Sequence, residues 1–235
     1  MSILERRDGR ALVVAPHADD EVLGAGGLIA LLVERGWRVE VSFATASGYE
    51  SAYRGDRSDM EARVLEMEAA TRLLGVAFTE VWPDGDARHL KLDTVPNTSL
   101  IEFVEKAVAR LQPDLVVMPC RGHYHQDHRA LAHACMAALR PAPPARRPLV
   151  PTVLAYGHTG FAWGGHECRF DPTIFVDVTS VIEKKLRALR CYATQLCEPP
   201  HPRSCEGMKA FAATWGACAG VHYAEPFECM RSVIS

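Results

Sequence analysis

The sequence has no apolar run long enough to span a membrane. A transmembrane helix needs about 20 consecutive, predominantly apolar residues, and polar residues or glycines interrupt every apolar stretch of this chain before that length. Residues 1–9 are largely polar and lack the apolar core of a signal peptide. These absences predict a cytoplasmic protein without a membrane span.

The chain also lacks an excess of positive charge. It carries 26 Lys and Arg residues against 29 Asp and Glu residues, which gives a formal net charge of −3 at pH 7. Proteins that bind nucleic acid or anionic membranes through charge show basic patches and a high isoelectric point. We therefore expect no nucleic acid as a partner and no charge-driven binding to an anionic membrane. The sequence leaves the oligomeric state open, a homo-oligomer included.

No two of the eight cysteines form a C-x-x-C pair. This absence argues against a zinc ribbon and against a thioredoxin-type redox site. At 235 residues the chain can bury a sufficient core without disulfide bonds. We expect most of the cysteines to be reduced core residues, and we expect the same of Cys120, which ends a predicted strand.

Short apolar runs alternate with helical patterns along the chain. The predicted strands are 12–15, 38–45, 76–82, 114–119, 152–156 and 173–178, and the predicted helices are 22–35, 59–74, 99–111, 126–139, 181–195 and 208–219. Such alternation is typical of a parallel sheet covered on both faces. The sequence predicts a Rossmann-like α/β three-layer sandwich with a mostly parallel sheet. It shows no internal repeat and no domain boundary, so we expect a single domain over residues 1–235.

The first strand is followed at once by a histidine and three acidic residues. The stretch Pro16-His-Ala-Asp-Asp-Glu21 lies between that strand and the helix 22–35. Acidic residues at a helix N-terminus are favourable by themselves, but a histidine beside carboxylates at the end of a buried strand also suits a metal site. Glycines 24, 26 and 27 then indicate close packing of this helix on a strand.

A second polar cluster follows the predicted strand 114–119. His123, His125, Asp127 and His128 lie within six positions there. If the two strands are neighbours, both clusters open onto one crevice, at the switch point where α/β sheets bind ligands. Two imidazoles and a carboxylate leave an open position and suit Zn²⁺. The same set also suits Fe²⁺, which the sequence does not exclude.

The two motifs together resemble the PIG-L/LmbE-like family of zinc-dependent N-deacetylases. The first motif usually has proline where this chain has Ala18, and the second reads His125-Gln-Asp-His128. Supporting similarity lies at residues 63–66, 185–195 and 223–227, so the resemblance covers most of the chain. It implies hydrolytic removal of an acetyl group from an N-acetylated amino sugar or glycoside of the N-acetylglucosamine type. Antibiotic or other specialised metabolism is a setting that the resemblance suggests.

The resemblance also implies a role for each residue of the two motifs. His17, Asp20 and His128 would ligate zinc, and Asp19 would be the general base. His125 would stabilise the tetrahedral intermediate or assist the leaving group, with Asp127 orienting it. The alternatives are a zinc amidase acting on a larger thiol–sugar conjugate and a non-catalytic carbohydrate-binding protein on the same fold.

Other residues are candidates for contact with substrate, although each also has an ordinary structural explanation. They are Ser47, Gly48, Arg63, Asp84 and His123. The histidines without a spacing signature, His158 among them, are expected at the surface or in the core. Substrate choice is assigned to three irregular loops, at about residues 48–58, 157–171 and 197–207.

Overall fold

The computed structural model describes residues 6–46, 49–50, 57–83, 91–143, 149–159 and 169–233. Its strands are β1 (Arg10–His17), β2 (Arg38–Thr45), β3 (Tyr49–Glu50), β4 (Arg57–Ser58), β5 (Phe78–Val81), β6 (Leu115–Pro119), β7 (Thr152–Tyr156), β8 (Ile174–Asp177) and β9 (Ala224–Ser232). Its helices are α1 (Asp20–Glu34), α2 (Met60–Leu74), α3 (Asn97–Leu111), α4 (Gln126–Ala138), α5 (Ile182–Arg190) and α6 (Cys205–Ala219), with a 3-10 turn at Leu92–Thr94.

Seven strands form one sheet in the order β5-β2-β1-β6-β7-β9-β8. The first five run parallel, whereas β9 is antiparallel to both of its neighbours. The predicted mostly parallel α/β sheet is therefore confirmed. The sequence analysis missed β9, and it treated residues 49–58 as a loop where β3 and β4 form a small antiparallel pair.

Both faces of the sheet are covered, as the alternation along β1 requires. Its residues 11, 13 and 15 belong to a core cluster with α1, α2 and α5, whereas residues 12 and 14 belong to a second cluster with α3 and α4. Successive side chains of a strand point to opposite faces, so one buried strand supplies both cores. The seven cysteines in the described ranges are free thiols, and no described helix has the length and hydrophobicity of a membrane span.

Helix α1 packs closely against the sheet through its glycines. A Cβ at Gly24 would lie 2.1 Å from the ring of Tyr156, and one at Gly27 would lie 2.5 Å from the side chain of Val178. Neither position has space for a larger residue. The predicted close contact between this helix and a strand is confirmed, at Tyr156 of β7 and at Val178, which follows β8.

A buried ion pair also holds this helix at its glycines. Glu225 of β9 accepts hydrogen bonds from the backbone N–H groups of Gly27 and Leu28, at 2.7 and 2.8 Å. Lys185 of α5 donates to Glu225 at 2.7 Å and to the carbonyl of Leu23 at 3.0 Å. Each charged group is thus partnered in the interior, as buried charges need to be.

The chain order reverses between β1 and β6. From β1 it runs outward through β2 to β5, and it then returns to β6 on the opposite side of β1. The loops that follow β1 and β6 therefore lie side by side at the carboxyl edge of the sheet. This is the switch point that the sequence predicted if the two strands were neighbours.

Candidate active site

Three side chains from the two loops face one another at this edge. His17 is the last residue of β1, Asp20 is the first of α1, and His128 lies in the first turn of α4. One carboxylate oxygen, Asp20 Oδ2, lies 3.1 Å from His17 Nδ1 and 3.3 Å from His128 Nε2. The three ligand atoms lie within 4.8 Å of one another, and all three residues are buried. Two imidazole nitrogens and one carboxylate oxygen at this spacing fit a divalent metal ion.

Asp127 supports this group by contacting His17. Its Oδ2 lies 2.9 Å from His17 Nε2, and its Oδ1 accepts a hydrogen bond from Leu92 N at 2.9 Å. Burial lowers the pKa of His17, but hydrogen bonds with Asp127 and Asp20 outweigh it and raise the pKa to about 9. Asp127 holds the hydrogen on Nε2, so Nδ1 is the atom that faces the other ligands, and a metal ion would displace the proton from that nitrogen.

The resemblance implies that Asp127 orients His125, and the two residues are in contact. The hydrogen bond between them comes from the Asp127 backbone rather than from its carboxylate. In the structure that carboxylate binds His17, and the Asp127 backbone N–H donates to His125 Nδ1 at 3.1 Å. Burial and the charge of His17 lower the pKa of His125 to about 4. His125 is therefore a neutral N–H donor at neutral pH.

Asp19 occupies the position before α1 in an unusual backbone conformation. Its φ of 132° is rare for a residue other than glycine, and its side chain makes no capping hydrogen bond to the helix. Such strain costs about 1–3 kcal/mol and is found at functional sites. The carboxylate is 4% exposed in a buried setting. Helix capping, the ordinary explanation for an acid at this position, does not account for Asp19.

Glu21 holds the backbone of Asp19 in place. Its Oε2 accepts a hydrogen bond from Asp19 N at 3.1 Å, and its Oε1 accepts one from the hydroxyl of Tyr192 at 2.5 Å. Burial raises the pKa of Glu21 to about 8, against the effect of the Tyr192 hydrogen bond. The sequence left Glu21 as either a helix-terminal acid or a residue that supports the ligands from behind, and the structure shows it holding the backbone of the strained residue.

His123 and His125 each accept a backbone hydrogen bond at Nδ1. The His125 backbone N–H donates to Nδ1 of His123 at 3.1 Å, just as the Asp127 backbone N–H donates to Nδ1 of His125. A neutral imidazole that accepts at one nitrogen carries its hydrogen on the other. Each ring thus has a hydrogen on Nε2. His123 is 3% exposed, and its Nε2 has no partner among the described residues.

Two further groups of side chains satisfy the same distance test for a metal. They are His17, His125 and Asp127, and His123, His128 and His158. Both require a nitrogen of His123 or His125. Because Nδ1 of each ring accepts a backbone hydrogen bond and Nε2 carries the hydrogen, neither ring offers a free lone pair. The group of His17, Asp20 and His128 is the better ligand set on these grounds.

His158 is a site residue that the sequence analysis missed. It lies two positions after β7, is 7% exposed, and places Nε2 3.3 Å from Asp20 Oδ1. Asp20 is thus contacted at both oxygens, and the histidines around it hold its pKa well below the usual range despite the opposing effect of burial. A signal was present in the sequence, because His158 follows a strand that neighbours β6, as the predicted ligands follow theirs.

Two arginines flank Asp19. Arg63 of α2 is 1% exposed and donates from Nη2 to the carbonyl of Ala18 at 2.5 Å. Arg203 precedes α6 and lies with Nη1 3.4 Å from Asp19 Oδ2. Burial and the charge of Asp20 raise the pKa of Asp19, and both guanidinium groups oppose that rise. Arg63 was a sequence candidate; Arg203, 184 residues from Asp19, had no local signal.

Three of the sequence candidates lie outside the described residues. They are Ser47, Gly48 and Asp84, and their contact with substrate stays a prediction. Cys120 is buried in the core cluster of α3 and α4, as expected, and belongs to none of the metal-binding groups found among the described residues.

Residues 12–139 match the family model described as PIG-L: GlcNAc-PI de-N-acetylase. The chain belongs to the PIG-L family. The matched region contains both motifs and every member of the metal-binding group. The resemblance that those motifs carried is thereby confirmed.

Relatives of this chain in the PIG-L family include enzymes of two kinds. It is 30% identical over 196 residues to a 4-oxalmesaconate hydratase of Pseudomonas putida, covering 79% of this chain and 73% of the relative. It is 25% identical over 223 residues to a diacetylchitobiose deacetylase of Thermococcus kodakarensis, covering 92% of this chain and 81% of that relative. The crystal structure of N,N'-diacetylchitobiose deacetylase from Pyrococcus horikoshii shares the fold, with a TM-score of 0.71, 23% identity and coverage of 94% and 84%.

Proposed function

We propose that this protein is a metal-dependent N-deacetylase that hydrolyses the acetamide of an N-acetylated amino sugar or glycoside, releasing acetate and a free amine. The observation that carries the proposal is Asp19. A strained, buried carboxylate that does not cap its helix lies beside a group of side chains fit to bind a metal. A protein that only binds carbohydrate has no need of such a base. Family membership supports the same activity.

Zn²⁺ is the ion that we propose for the site. His17, Asp20 and His128 would hold it, and Asp127 and His158 would orient two of these ligands. When bound, such an ion lowers the pKa of a water molecule to about 7 and polarises a carbonyl group. The same ligands suit Fe²⁺, so measurement of the native metal is part of the test.

The remaining chemistry falls to the residues around the ligands. Asp19 accepts the proton of the attacking water and returns it to the departing nitrogen, so that one carboxylate acts first as base and then as acid. His125 Nε2–H donates to the oxygen on which negative charge develops. His123 has a buried Nε2–H without a partner among the described residues, and we assign it to a polar group of the substrate.

We place this activity in one domain that spans the chain, in the cytoplasm, on a small-molecule substrate. Arg63, with Nε and Nη1 unpartnered among the described residues, adjoins that substrate region through Ala18. Ser47, Gly48 and Asp84 remain candidates for sugar contacts. A larger thiol–sugar conjugate, hydrolysed at its amide bond by the same residues, is the alternative substrate within this function.

Hydration of an unsaturated acid is the second candidate function. The observation that favours it is the 30% identity to the Pseudomonas putida hydratase, against 25% to the Thermococcus deacetylase. Addition of water to a double bond also needs an activated water and a base, so the same residues would serve it.

One assay separates these functions. Metal-loaded protein is incubated with N-acetylglucosamine, diacetylchitobiose and methyl N-acetylglucosaminide for acetate release, and with 4-oxalmesaconate for loss of ultraviolet absorbance. We expect acetate release that a chelator abolishes and the metal restores. Hydration of 4-oxalmesaconate without acetate release would assign the second function. If fully metallated protein catalyses neither reaction, both proposed functions are contradicted and a binding protein is favoured.

A further inference from the structure

We infer that Arg203 binds an anionic group of the substrate, a carboxylate or a phosphate, next to the carbon that bears the acetamide. This inference rests on the proposed function, since Asp19 marks where the reacting amide lies. Arg203 approaches Asp19 from the loop between α5 and α6, a segment that contains none of His17, Asp20 and His128. Arg203 would therefore help to select the substrate without binding the metal ion.

The contact between Arg203 and Asp19 is weak for a dedicated ion pair. The distance of 3.4 Å exceeds the 2.7–2.9 Å of a charge-assisted hydrogen bond. The Arg203 side chain is 39% exposed, whereas that of Asp19 is 5% exposed. Among the described residues, the guanidinium group has no other side-chain partner. Most of its five N–H donors thus remain available to a ligand in the crevice.

The backbone around Arg203 is held in place, so the guanidinium group is presented from a fixed base. Arg203 N donates to His201 Nδ1 at 3.1 Å, and its carbonyl accepts from Cys197 N at 3.5 Å. The next residue, Ser204, caps α6 through a side-chain hydrogen bond to Gly207 N at 2.9 Å. A donor on a preorganised backbone loses less freedom when it binds a ligand.

A charge count at the site leaves Arg203 unmatched. Among the described residues the crevice contains the carboxylates of Asp19, Asp20 and Asp127; Glu21 adds a fourth carboxyl group, but burial raises its pKa to about 8 and so leaves it mostly uncharged at neutral pH. A divalent ion and the buried Arg63 would balance them. Arg203 adds one further positive charge beside the base. A planar guanidinium group pairs with carboxylate and phosphate through two parallel hydrogen bonds.

The position of Arg203 restricts where the anion is attached. A base lies within about 3 Å of the proton that it moves, and Arg203 lies 3.4 Å from that base. An anion bound to the guanidinium group is therefore only a few bonds from the amide nitrogen. On a 2-acetamido sugar this favours a substituent at position 1 or position 3.

Two matched pairs of compounds test the inference. N-acetylmuramic acid carries a carboxylate on its O3 substituent, and its methyl ester is the neutral counterpart. N-acetylglucosamine 1-phosphate carries a phosphate at position 1, and methyl N-acetyl-α-glucosaminide is its neutral counterpart. The ratio of kcat/KM for the acid to that for the neutral compound is measured for the wild type, Arg203→Ala and Arg203→Lys. Arg72→Ala, which removes an exposed arginine of α2, is the matched control.

We expect the wild type to prefer the acid in at least one pair, and the pair identifies the anion. Arg203→Ala should lower kcat/KM for that acid by about 10- to 100-fold, the effect of one charged hydrogen-bond partner. It should lower kcat/KM for the neutral compound by less. The ratio for Arg203→Lys should lie between those of the wild type and Arg203→Ala. The ratio for Arg72→Ala should equal that of the wild type. An equal loss for both compounds, or a preference that survives Arg203→Ala, would overturn the inference.

Failure of the proposed function has a different signature. If no compound releases acetate, the deacetylase assignment fails. In that case the dissociation constants of the same compounds are measured by calorimetry on metal-loaded protein, and their ratio replaces the ratio of kcat/KM. A preference for an acid that Arg203→Ala abolishes would then still support the anion site. Equal binding of acid and neutral compound, or binding of neither, would overturn it.

Discussion

Replacement of Asp127 distinguishes a metal-supporting role from a role in acid–base catalysis. Its carboxylate is fully buried and serves two donors, His17 Nε2 and the backbone N–H of Leu92, each at 2.9 Å. Asp127→Ala removes both acceptors. Loss of such a support typically weakens metal binding by about 10- to 100-fold, and an unpaired buried N–H costs about 1–3 kcal/mol of stability.

Asp127→Asn gives an intermediate test, because its amide has one acceptor oxygen for two donors. We therefore expect metal affinity and thermal stability to fall in the order wild type, Asn, Ala. Competition with a chromogenic chelator measures the affinity, and thermal unfolding measures the stability. Asp93→Ala is the control, since that exposed aspartate lies beside Leu92 in the same 3-10 turn.

The decisive measurement is kcat at saturating metal. If Asp127 acts through His17, excess metal restores most of the activity of Asp127→Ala. Unchanged metal affinity together with a kcat that excess metal does not restore would refute this reasoning. It would return Asp127 to the role that the sequence suggested, as the partner of His125.

Three further substitutions test the site and its support. Asp19→Asn should retain the metal by elemental analysis and lower kcat for acetate release by about 10²- to 10⁴-fold, the contribution of a general base; an unchanged kcat would remove Asp19 from that role. His125→Ala should lower kcat by about 10²- to 10³-fold with metal retained, whereas His125→Gln, which keeps an N–H donor, should lose less; equal losses would contradict the donor role. Lys185→Met should lower the free energy of unfolding in urea by about 3–5 kcal/mol, because it leaves Glu225 charged and buried without its partner. An unfolding midpoint equal to that of the wild type would contradict the inferred importance of that ion pair.

The two halves of the metal site could be predicted because their signals are local. In the sequence each half follows an apolar run that is closed by a proline, Pro16 or Pro119. The parallel arrangement then brings His17 and His128 to the same edge of the sheet without any knowledge of their contacts. The strand-end rule would also have found His158, had it been applied to β7.

The contacts that could not be predicted join residues with no local relation. Arg203 and Asp19 are 184 residues apart, and nothing in an irregular loop indicates which arginine turns inward. Strand β9 was missed because Pro226, Cys229 and Arg231 interrupt its alternation; its antiparallel pairing with β7 and β8 defines it instead. The resemblance implied that Asp127 orients His125, whereas the first turn of α4 directs its carboxylate toward His17 of β1.

The residues that activate water do not by themselves distinguish the two candidate reactions. Amide hydrolysis and hydration of a double bond both begin with transfer of a water proton to a base such as Asp19. They differ in where the negative charge then develops and in whether a nitrogen leaves. Inactivity of Asp19→Asn is therefore expected for either function. Release of acetate, which requires cleavage of the carbon–nitrogen bond, is the observation that separates them.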